Sequence, residues 1–319
     1  MEKRRAIGID LGGTQLRAAL VDRDGAVLVR DALATDAAGG PAGVIAQIRQ
    51  LIGQICSAGD QPHIAGIGVS APGPLDSETG TVIAIPTLAG WEDFPLAARL
   101  AEEFSLPVVV ENDGIAAANG EWRFGSARGL RHFVYVTVST GIGGGVVVDG
   151  RLLRGRRGLA GHVGHMIIAP DGPRCSCGAF GCFEALASGS ALARAGREAA
   201  TANPASQLAA NSPAAITARD IVAAARLGDS LALALLDREA GYLGIGFSNL
   251  IHLYSPQALI MGGGVSQAFD LLHPMIAAAI RSSAMPPFRD VEIVPAMLGD
   301  NAGLAGAAAL VWERQGQAG

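Results

Sequence analysis

Two histidines and three of the four cysteines crowd into one stretch. Gly158-Leu-Ala-Gly-His162-Val-Gly-His165 is followed by Cys175-Ser-Cys177-Gly-Ala-Phe-Gly-Cys182-Phe-Glu184. Thiolate sulfur and imidazole nitrogen together make a standard tetrahedral zinc set, and His165 with Cys175, Cys177 and Cys182 supplies one Cys3His combination. Gly178 and Gly181 let the backbone turn tightly enough to bring the sulfurs onto one ion. The rival readings are a redox pair or buried thiols. A disulfide is a weaker rival, because one residue separates Cys175 from Cys177 and no export signal is apparent. A single such cluster in a long chain is a staple, and the polar groups it would hold in place are His162, His165 and Glu184.

Three glycine loops offer a second kind of chemistry. Asp10-Leu-Gly12-Gly13-Thr14 lies between two short apolar runs. Its bared amides suit phosphate oxygens, and Asp10 suits magnesium held through water. It reads equally as an ordinary glycine hairpin. It is not a Rossmann loop, because no helix follows, nor a Walker loop, because the Lys-Ser/Thr ending is absent. Ser139-Thr140-Gly141-Ile-Gly143-Gly144-Gly145 repeats the design of a strand, Thr with glycines, and a strand. The repeat suggests an internal duplication. Gly262-Gly263-Gly264 closes a third apolar run. Asp113 follows the run Val108 to Val110 and precedes helical spacing from Ile115 to Phe124. There the start of a helix favours an ionised carboxylate, and a plain capping role for Asn112 and Asp113 fits as well.

The elements that must position these residues follow from periodicity. Strands are expected at Ala6 to Asp10, Ala18 to Val21, Ala26 to Arg30, Ile64 to Val69, Val108 to Val110, Phe133 to Val138, Ala258 to Met261 and Val291 to Pro295. A short extended piece is expected at Val82 to Ile85. Helices are expected at Pro41 to Ser57, Pro95 to Phe104, Ser188 to Ala200, Ile221 to Leu227 behind a Thr217 cap, Ser230 to Leu253, Phe269 to Arg281 and Leu304 to Arg314. The last is small and apolar on most faces, so it should lie between layers. Thr201 to Pro213 reads as a surface loop. At 319 residues the chain is too long for one ordinary core, and two domains are expected.

Half of the residues are apolar, yet no apolar run reaches about 18 residues, the length that would cross a membrane, without a charge or a cluster of glycines. The charged start, without an apolar core behind it, argues against export, so a cytoplasmic location is expected. Net charge is −5. The one basic patch, Arg151, Arg154, Arg156 and Arg157, should face anions locally and not nucleic acid.

Taken in order, Asp10-Leu-Gly-Gly-Thr14, Ser70-Ala-Pro-Gly-Pro74, Asn112-Asp113, Ser139 to Gly145, the His-Cys-Cys-Cys spacing and Gly262 to Gly264 resemble the ROK family of sugar kinases and repressors across essentially the whole chain. The resemblance implies an α/β actin-like ATPase fold of ribonuclease H type, with two domains around a cleft. The implied division is 1–112, joined by the last helix at about 304–319, and 113–303 with the zinc site. It implies phosphoryl transfer from ATP, with Mg2+, to the C6 hydroxyl of a hexose, with Asp113 as base. Asp10, Gly12, Gly13, Thr14, Thr140, Gly141, Gly143 and Gly144 would face the phosphates, and Gly262, Gly263 and Gly264 the adenosine. Gly73, Thr87, Asn112, Asp113, His162, His165 and Glu184 would contact sugar. His165, Cys175, Cys177 and Cys182 would hold structural Zn2+. A homodimer is the family expectation.

Two departures bear on function. Many family members carry Glu where this chain has His162. The form Gly-Leu-Ala-Gly-His-x-Gly-His, with Ala-Pro-Asp171-Gly-Pro-Arg-Cys-Ser-Cys-Gly, resembles the bacterial N-acetylmannosamine kinases of sialic acid breakdown. An imidazole can donate as well as accept, which suits an acylamino group at C2. Glucokinase and N-acetylglucosamine kinase are the alternatives within the class, and a sugar-sensing protein without chemistry is the alternative outside it. The second departure is Gln15, where Lys or Asn is common. A missing Lys removes a cation near the phosphates, and Arg17 is positioned in sequence to replace it.

Overall fold

The computed structural model describes residues 5–57, 59, 63–85, 87–210 and 213–317. In chain order the strands are β1 (Arg5–Leu11), β2 (Gln15–Asp22), β3 (Val27–Ala34), β4 (Ile64–Ala71), β5 (Leu75–Asp76), β6 (Thr81–Val82), β7 (Val108–Asn112), β8 (Phe133–Val138), β9 (Ile142–Val148), β10 (Arg151–Leu152), β11 (Ala258–Gly262) and β12 (Glu292–Pro295). The helices are α1 (Gly40–Ile55), α2 (Leu96–Phe104), α3 (Asp113–Phe124), α4 (Phe183–Ala187), α5 (Gly189–Ala202), α6 (Ala218–Arg226), α7 (Ser230–Tyr254), α8 (Phe269–Ser283) and α9 (Ala302–Gln317). They form two compact units. The first comprises residues 1–130, 145–161 and 297–319, and the second 131–144 and 162–296.

The first unit is built on a five-stranded mixed sheet in the order β3-β2-β1-β4-β7. Side chains alternate across the sheet, and the two faces differ in size. Ile7, Ile9, Val69 and Ile67 point to a core completed by Val44, Ile48 and Leu51 of α1, Leu96 and Leu100 of α2, and Trp91. The opposite face carries Ala6, Ala19 and Ala65 against Leu304, Ala308 and Val311 of α9. A Cβ on Gly8 or Gly68 would run into the α9 backbone at Leu304 or Ala307. The small residues of β1 and β4 thus let α9 lie close on the sheet. On its other side α9 meets α3 just as closely, because a Cβ on Gly306 would strike the Ala116 carbonyl and one on Gly120 the Ala302 carbonyl. The expected placement of the last helix between layers is what the structure shows.

The second sheet runs β10-β9-β8-β11-β12. Counted along the chain, its order of third, second, first, fourth, fifth repeats that of the first sheet, which gives the suspected duplication a topological basis. Two α/β sheets with this shared order are the arrangement implied by the ribonuclease H-like resemblance. Strand β8 is apolar and buried at nearly every position, as a strand covered on both faces should be. Phe183 of α4, directly after Cys182 in the chain, stacks edge-on against Phe247 of α7.

Local differences from the sequence reading have local causes. The extended piece expected at Val82 to Ile85 is a strand only at Thr81–Val82, where Gly80 (φ +69) turns it back onto β5. The stretch expected as a loop from Thr201 to Pro213 is partly helical. Helix α5 continues to Ala202, and a 3-10 turn forms at Gln207–Ala210. The Asp229 carboxylate fixes this segment by accepting from Ser206 Oγ at 2.9 Å and from the Gln207 amide at 2.7 Å, a long-range anchor that composition could not reveal. Asn211 and Ser212 of that stretch lie outside the described residues. Cys56 is partly buried.

Candidate active site

In the first unit, Asp10 sits at the end of β1 beside the parallel strand β4, in register with Ser70. Ser70 Oγ donates to Asp10 Oδ1 at 2.9 Å, and Arg17 approaches Oδ2 at 3.6 Å. Burial raises the carboxyl above its ordinary range. The Ser70 bond and Arg17 oppose the rise, and Asp300 adds to it. A side chain on Gly303 would touch both Asp10 and Ser70, so the approach to α9 is shaped around this carboxylate. The Gly12 amide donates to the Gln15 carbonyl at 2.9 Å and closes the β1–β2 turn. Thr35 Oγ1 donates to the Gly12 carbonyl at 2.7 Å. Thr87 lies against Gly13, where an added Cβ would meet Thr87 Oγ1 at 2.9 Å. Two residues from different expected groups, one for phosphate and one for sugar, are therefore neighbours.

Asp113 begins α3 at the end of β7. Asn112 is the N-cap, and the Gly114 amide donates both to Asn112 Oδ1 at 3.0 Å and to Asp113 Oδ1 at 2.8 Å. Capping and a chemical role are thus compatible, because one amide serves both side chains. Asp113 is exposed as a residue, yet the surrounding protein desolvates its carboxyl. That desolvation raises its pKa to about 6. The Gly114 bond opposes the rise, and the Asp10 charge contributes to it. A carboxylate poised near neutrality at the end of a strand is suited to take up a proton.

Sequence reasoning gave Glu111 no role. It is almost wholly buried, accepts from Arg154 Nε at 3.0 Å through Oε2 and from the Asn112 amide at 3.1 Å through Oε1, and so fixes the residue before Asp113. Arg157 Nε donates to Asp76 at 2.7 Å and holds that carboxyl below its usual range. Two arginines of the basic patch therefore face local anions, as expected, and the anions are the chain's own carboxylates. Glu121, also buried, accepts from the amides of Ser126, Met297 and Leu298 at 2.8, 3.2 and 2.8 Å. It ties α3 to the segment entering α9. Their signal in sequence was only a charge inside an apolar stretch.

The second unit contains a cavity of about 760 Å3. Ser139 and Thr140 line it from the turn between β8 and β9, Gly264 and Val265 from the end of β11, and α5 and α6 close it. Arg197, Arg219 and Arg226 supply three cations. Arg226 grips Asp270 with two bonds of 2.7 Å, and Arg197 donates to the Ile216 carbonyl at 3.0 Å. Arg219 has no ion pair among the described residues. Gly263 has φ +86, which only glycine adopts without strain. Gly144 and Gly262 do not line the cavity. A Cβ on either would collide with Tyr135, so they serve close packing of β8 with its neighbours. Gly143 lies within β9.

His162 and His165 stand one turn apart at a 3-10 turn (Val163–His165), where residues i and i+3 eclipse. Their ring centroids are 6.2 Å apart. Desolvation, then the neighbouring His165, lowers the His162 pKa. His165 Nδ1 lies 3.7 Å from Cys175 Sγ, and Cys177 Sγ lies 3.6 Å from Cys182 Sγ. All four donor atoms fall within 4.8 Å of one another. Bonds of about 2.3 Å in a tetrahedron place donors roughly 3.8 Å apart, so the set fits one zinc ion without a change of fold. The loop is held by the Cys175 amide donating to Ala179 and the Ile168 amide donating to Gly181. Gly178 and Gly181 have φ +94 and +71, the tight turns expected of them.

A profile of the ROK family matches residues 6–314. The chain is 37% identical to a glucokinase of Thermotoga maritima, across 99% of this chain and 100% of that one. It is 35% identical to an N-acetylmannosamine kinase of Citrobacter koseri, across 95% and 97%. Among solved structures, a ROK family glucokinase from Streptomyces griseus in complex with glucose and AMPPNP superposes with a TM-score of 0.84, at 35% identity over 97% of this chain and 99% of that one.

Proposed function

This chain belongs to the ROK family, and we propose that it is an ATP-dependent sugar kinase whose preferred acceptor is the C6 hydroxyl of an N-acyl-D-mannosamine. The observation that carries the kinase reading is the Asn112-Asp113 pair where β7 gives way to α3, held by the Gly114 amide, with the Asp113 carboxyl pKa pushed up to about 6 by burial. In the proposed step the Asp113 carboxylate takes the proton of the C6 hydroxyl as that oxygen bonds to the γ-phosphorus. The bond from phosphorus to the β,γ-bridging oxygen breaks, and ADP leaves with the electron pair. Asn112 and Glu111 keep Asp113 in place, and Ser70 and Arg17 orient Asp10, the residue suited to hold Mg2+ through water. Magnesium, when bound, neutralises phosphate charge. The cavity between α5, α6 and the two glycine turns suits a nucleotide in volume and charge. Zinc at His165, Cys175, Cys177 and Cys182 would fix the His165 ring through Nδ1 and leave Nε2 for a hydroxyl.

The choice of sugar rests on His162. It is exposed, carries no fixed negative charge, and shares a turn with a metal-site histidine, so it can donate toward an acylamino oxygen. Glucose is the alternative acceptor, because relatives named glucokinase match at 36–37% identity over nearly the full chain. The deciding experiment is ADP release with MgATP, ranking N-acetylmannosamine, N-acetylglucosamine and glucose by kcat/KM, together with His162→Glu. The mannosamine reading expects a wild-type preference for N-acetylmannosamine that His162→Glu moves toward glucose. A wild-type preference for glucose makes the chain a glucokinase. Asp113→Asn should lower kcat by about 100-fold or more while sugar binding persists, and normal turnover in that variant would remove Asp113 as the base.

A further inference from the structure

The Glu184 carboxylate is engaged at both oxygens within its own unit. Oε2 accepts from the Ile142 amide at 2.9 Å. Oε1 accepts from Ser176 Oγ at 3.3 Å and lies 4.0 Å from Cys175 Sγ. One oxygen therefore holds the start of β9, and the other holds the loop that carries Cys175 and Cys177. We propose that Glu184 is a positioning residue that ties the Cys3His loop to the Ser139–Ile142 turn, so that metal occupancy sets nucleotide affinity.

The turn is built around this carboxylate. A Cβ on Gly141 would overlap Glu184 Oε2, so glycine at 141 is what lets the carboxylate reach the Ile142 amide. The Ser139 amide donates to the Gly141 carbonyl at 2.9 Å and closes the turn. The Gly189 amide donates to the Ser139 carbonyl at 2.7 Å and fixes its other side. Ser139 and Thr140, the residues so fixed, line the 760 Å3 cavity. On the opposite side, Ser176 is flanked by two metal-site cysteines, so an ion that orders those sulfurs also orders the hydroxyl facing Glu184. Glu184 follows Cys182 by two residues and sits in the first turn of α4. The chain from metal loop to carboxylate to glycine turn is unbroken, and every link is a contact within the second unit.

The inference rests on the nucleotide reading of this cavity, and its test separates the two. Full-length wild type, Glu184→Gln, Glu184→Ala and Ser176→Ala are each prepared zinc-loaded, with zinc content measured, and again after chelation. Two quantities are read: amide hydrogen exchange over residues 138–144, and the affinity for the non-hydrolysable analogue AMPPNP by calorimetry. In Glu184→Ala, exchange over 138–144 should rise and AMPPNP should bind about ten-fold more weakly or worse, the scale of one lost charge-assisted hydrogen bond. Glu184→Gln should stay within about three-fold of wild type, because its amide oxygen still accepts from Ile142 and its NH2 still meets Ser176. Chelation should weaken AMPPNP in wild type and add nothing further in Glu184→Ala. Ser176→Ala should keep its zinc and lose that response. Unchanged exchange in zinc-loaded Glu184→Ala, or a full chelation response in Ser176→Ala, overturns the proposal. If wild type phosphorylates no hexose, the kinase reading falls, and the exchange and binding results still decide the role of Glu184.

Discussion

The side-chain carbonyl of Gln15 accepts a hydrogen bond from Arg17 Nε at 2.7 Å. The same guanidinium reaches Asp10 at 3.6 Å. Gln15 therefore does more than leave a cation out of the first glycine turn, because it aims the remaining one at Asp10. Replacing Gln15 with Ala should free Arg17 and raise KM for MgATP about five-fold with little change in KM for sugar, as expected for losing roughly 1 kcal/mol of hydrogen bonding. Steady-state kinetics with each substrate varied in turn would show it. An equal rise in both constants would mean the pair does not act on the nucleotide.

With Asp113 as the proposed base, its raised pKa predicts an acid limb for activity. A base must be ionised to act, so kcat/KM for sugar should fall as pH drops through about 6. The negative charge of Asp10 disfavours that ionisation, so Asp10→Asn should move the limb to lower pH even as it lowers the overall rate. A limb left in place by Asp10→Asn would assign it to another group.

The four donors of the metal cluster predict one zinc per chain by elemental analysis, lost in Cys182→Ser. Chelation should lower the melting temperature of the second unit, because a bound ion would join the loop at Cys175 to the start of α4 at Cys182. Protein that holds no zinc after expression with excess metal, yet melts unchanged, would return the cluster to the redox or buried-thiol readings.

Gly306 faces the Ala116 carbonyl with no room for a methyl group. Gly306→Ala should therefore force α9 away from α3 and destabilise the first unit by about 1–3 kcal/mol, measured by chemical denaturation. Gly316→Ala, on the same helix with nothing near the added carbon, is the control and should leave stability unchanged or slightly raised.

Glu239 is buried on α7, and one of its carboxyl oxygens lacks a hydrogen-bond partner. Burial pushes its pKa up to about 8 from an ordinary 4.5. The folded state binds this proton more tightly than the unfolded state. Its cost to stability is therefore absent below about 4.5, grows as pH rises, and levels off above about 8. Glu239→Gln should match wild type at low pH and exceed it in melting temperature by a growing margin up to pH 8. A margin independent of pH would mean the carboxyl is not the cause.

Most strands and helices, the three glycine turns and the Cys3His set were legible in the chain. Each is written in local signals: an apolar run, a helical spacing, clustered glycines, four ligand-type residues close together. The order of those motifs was also enough to recognise the family. Tertiary structure decided the rest, because those features join residues far apart in the chain. Ser70 meets Asp10 only because β4 lies beside β1, and Glu111 finds Arg154 only once β7 and the segment after β10 are folded. Asp229 anchors a stretch that composition marks as a loop. Glu184 shows the division most plainly: its place beside the cysteines is legible in the chain, but its bond to the Ile142 amide spans 42 positions and exists only because Gly141, lacking a side chain, lets the carboxylate in.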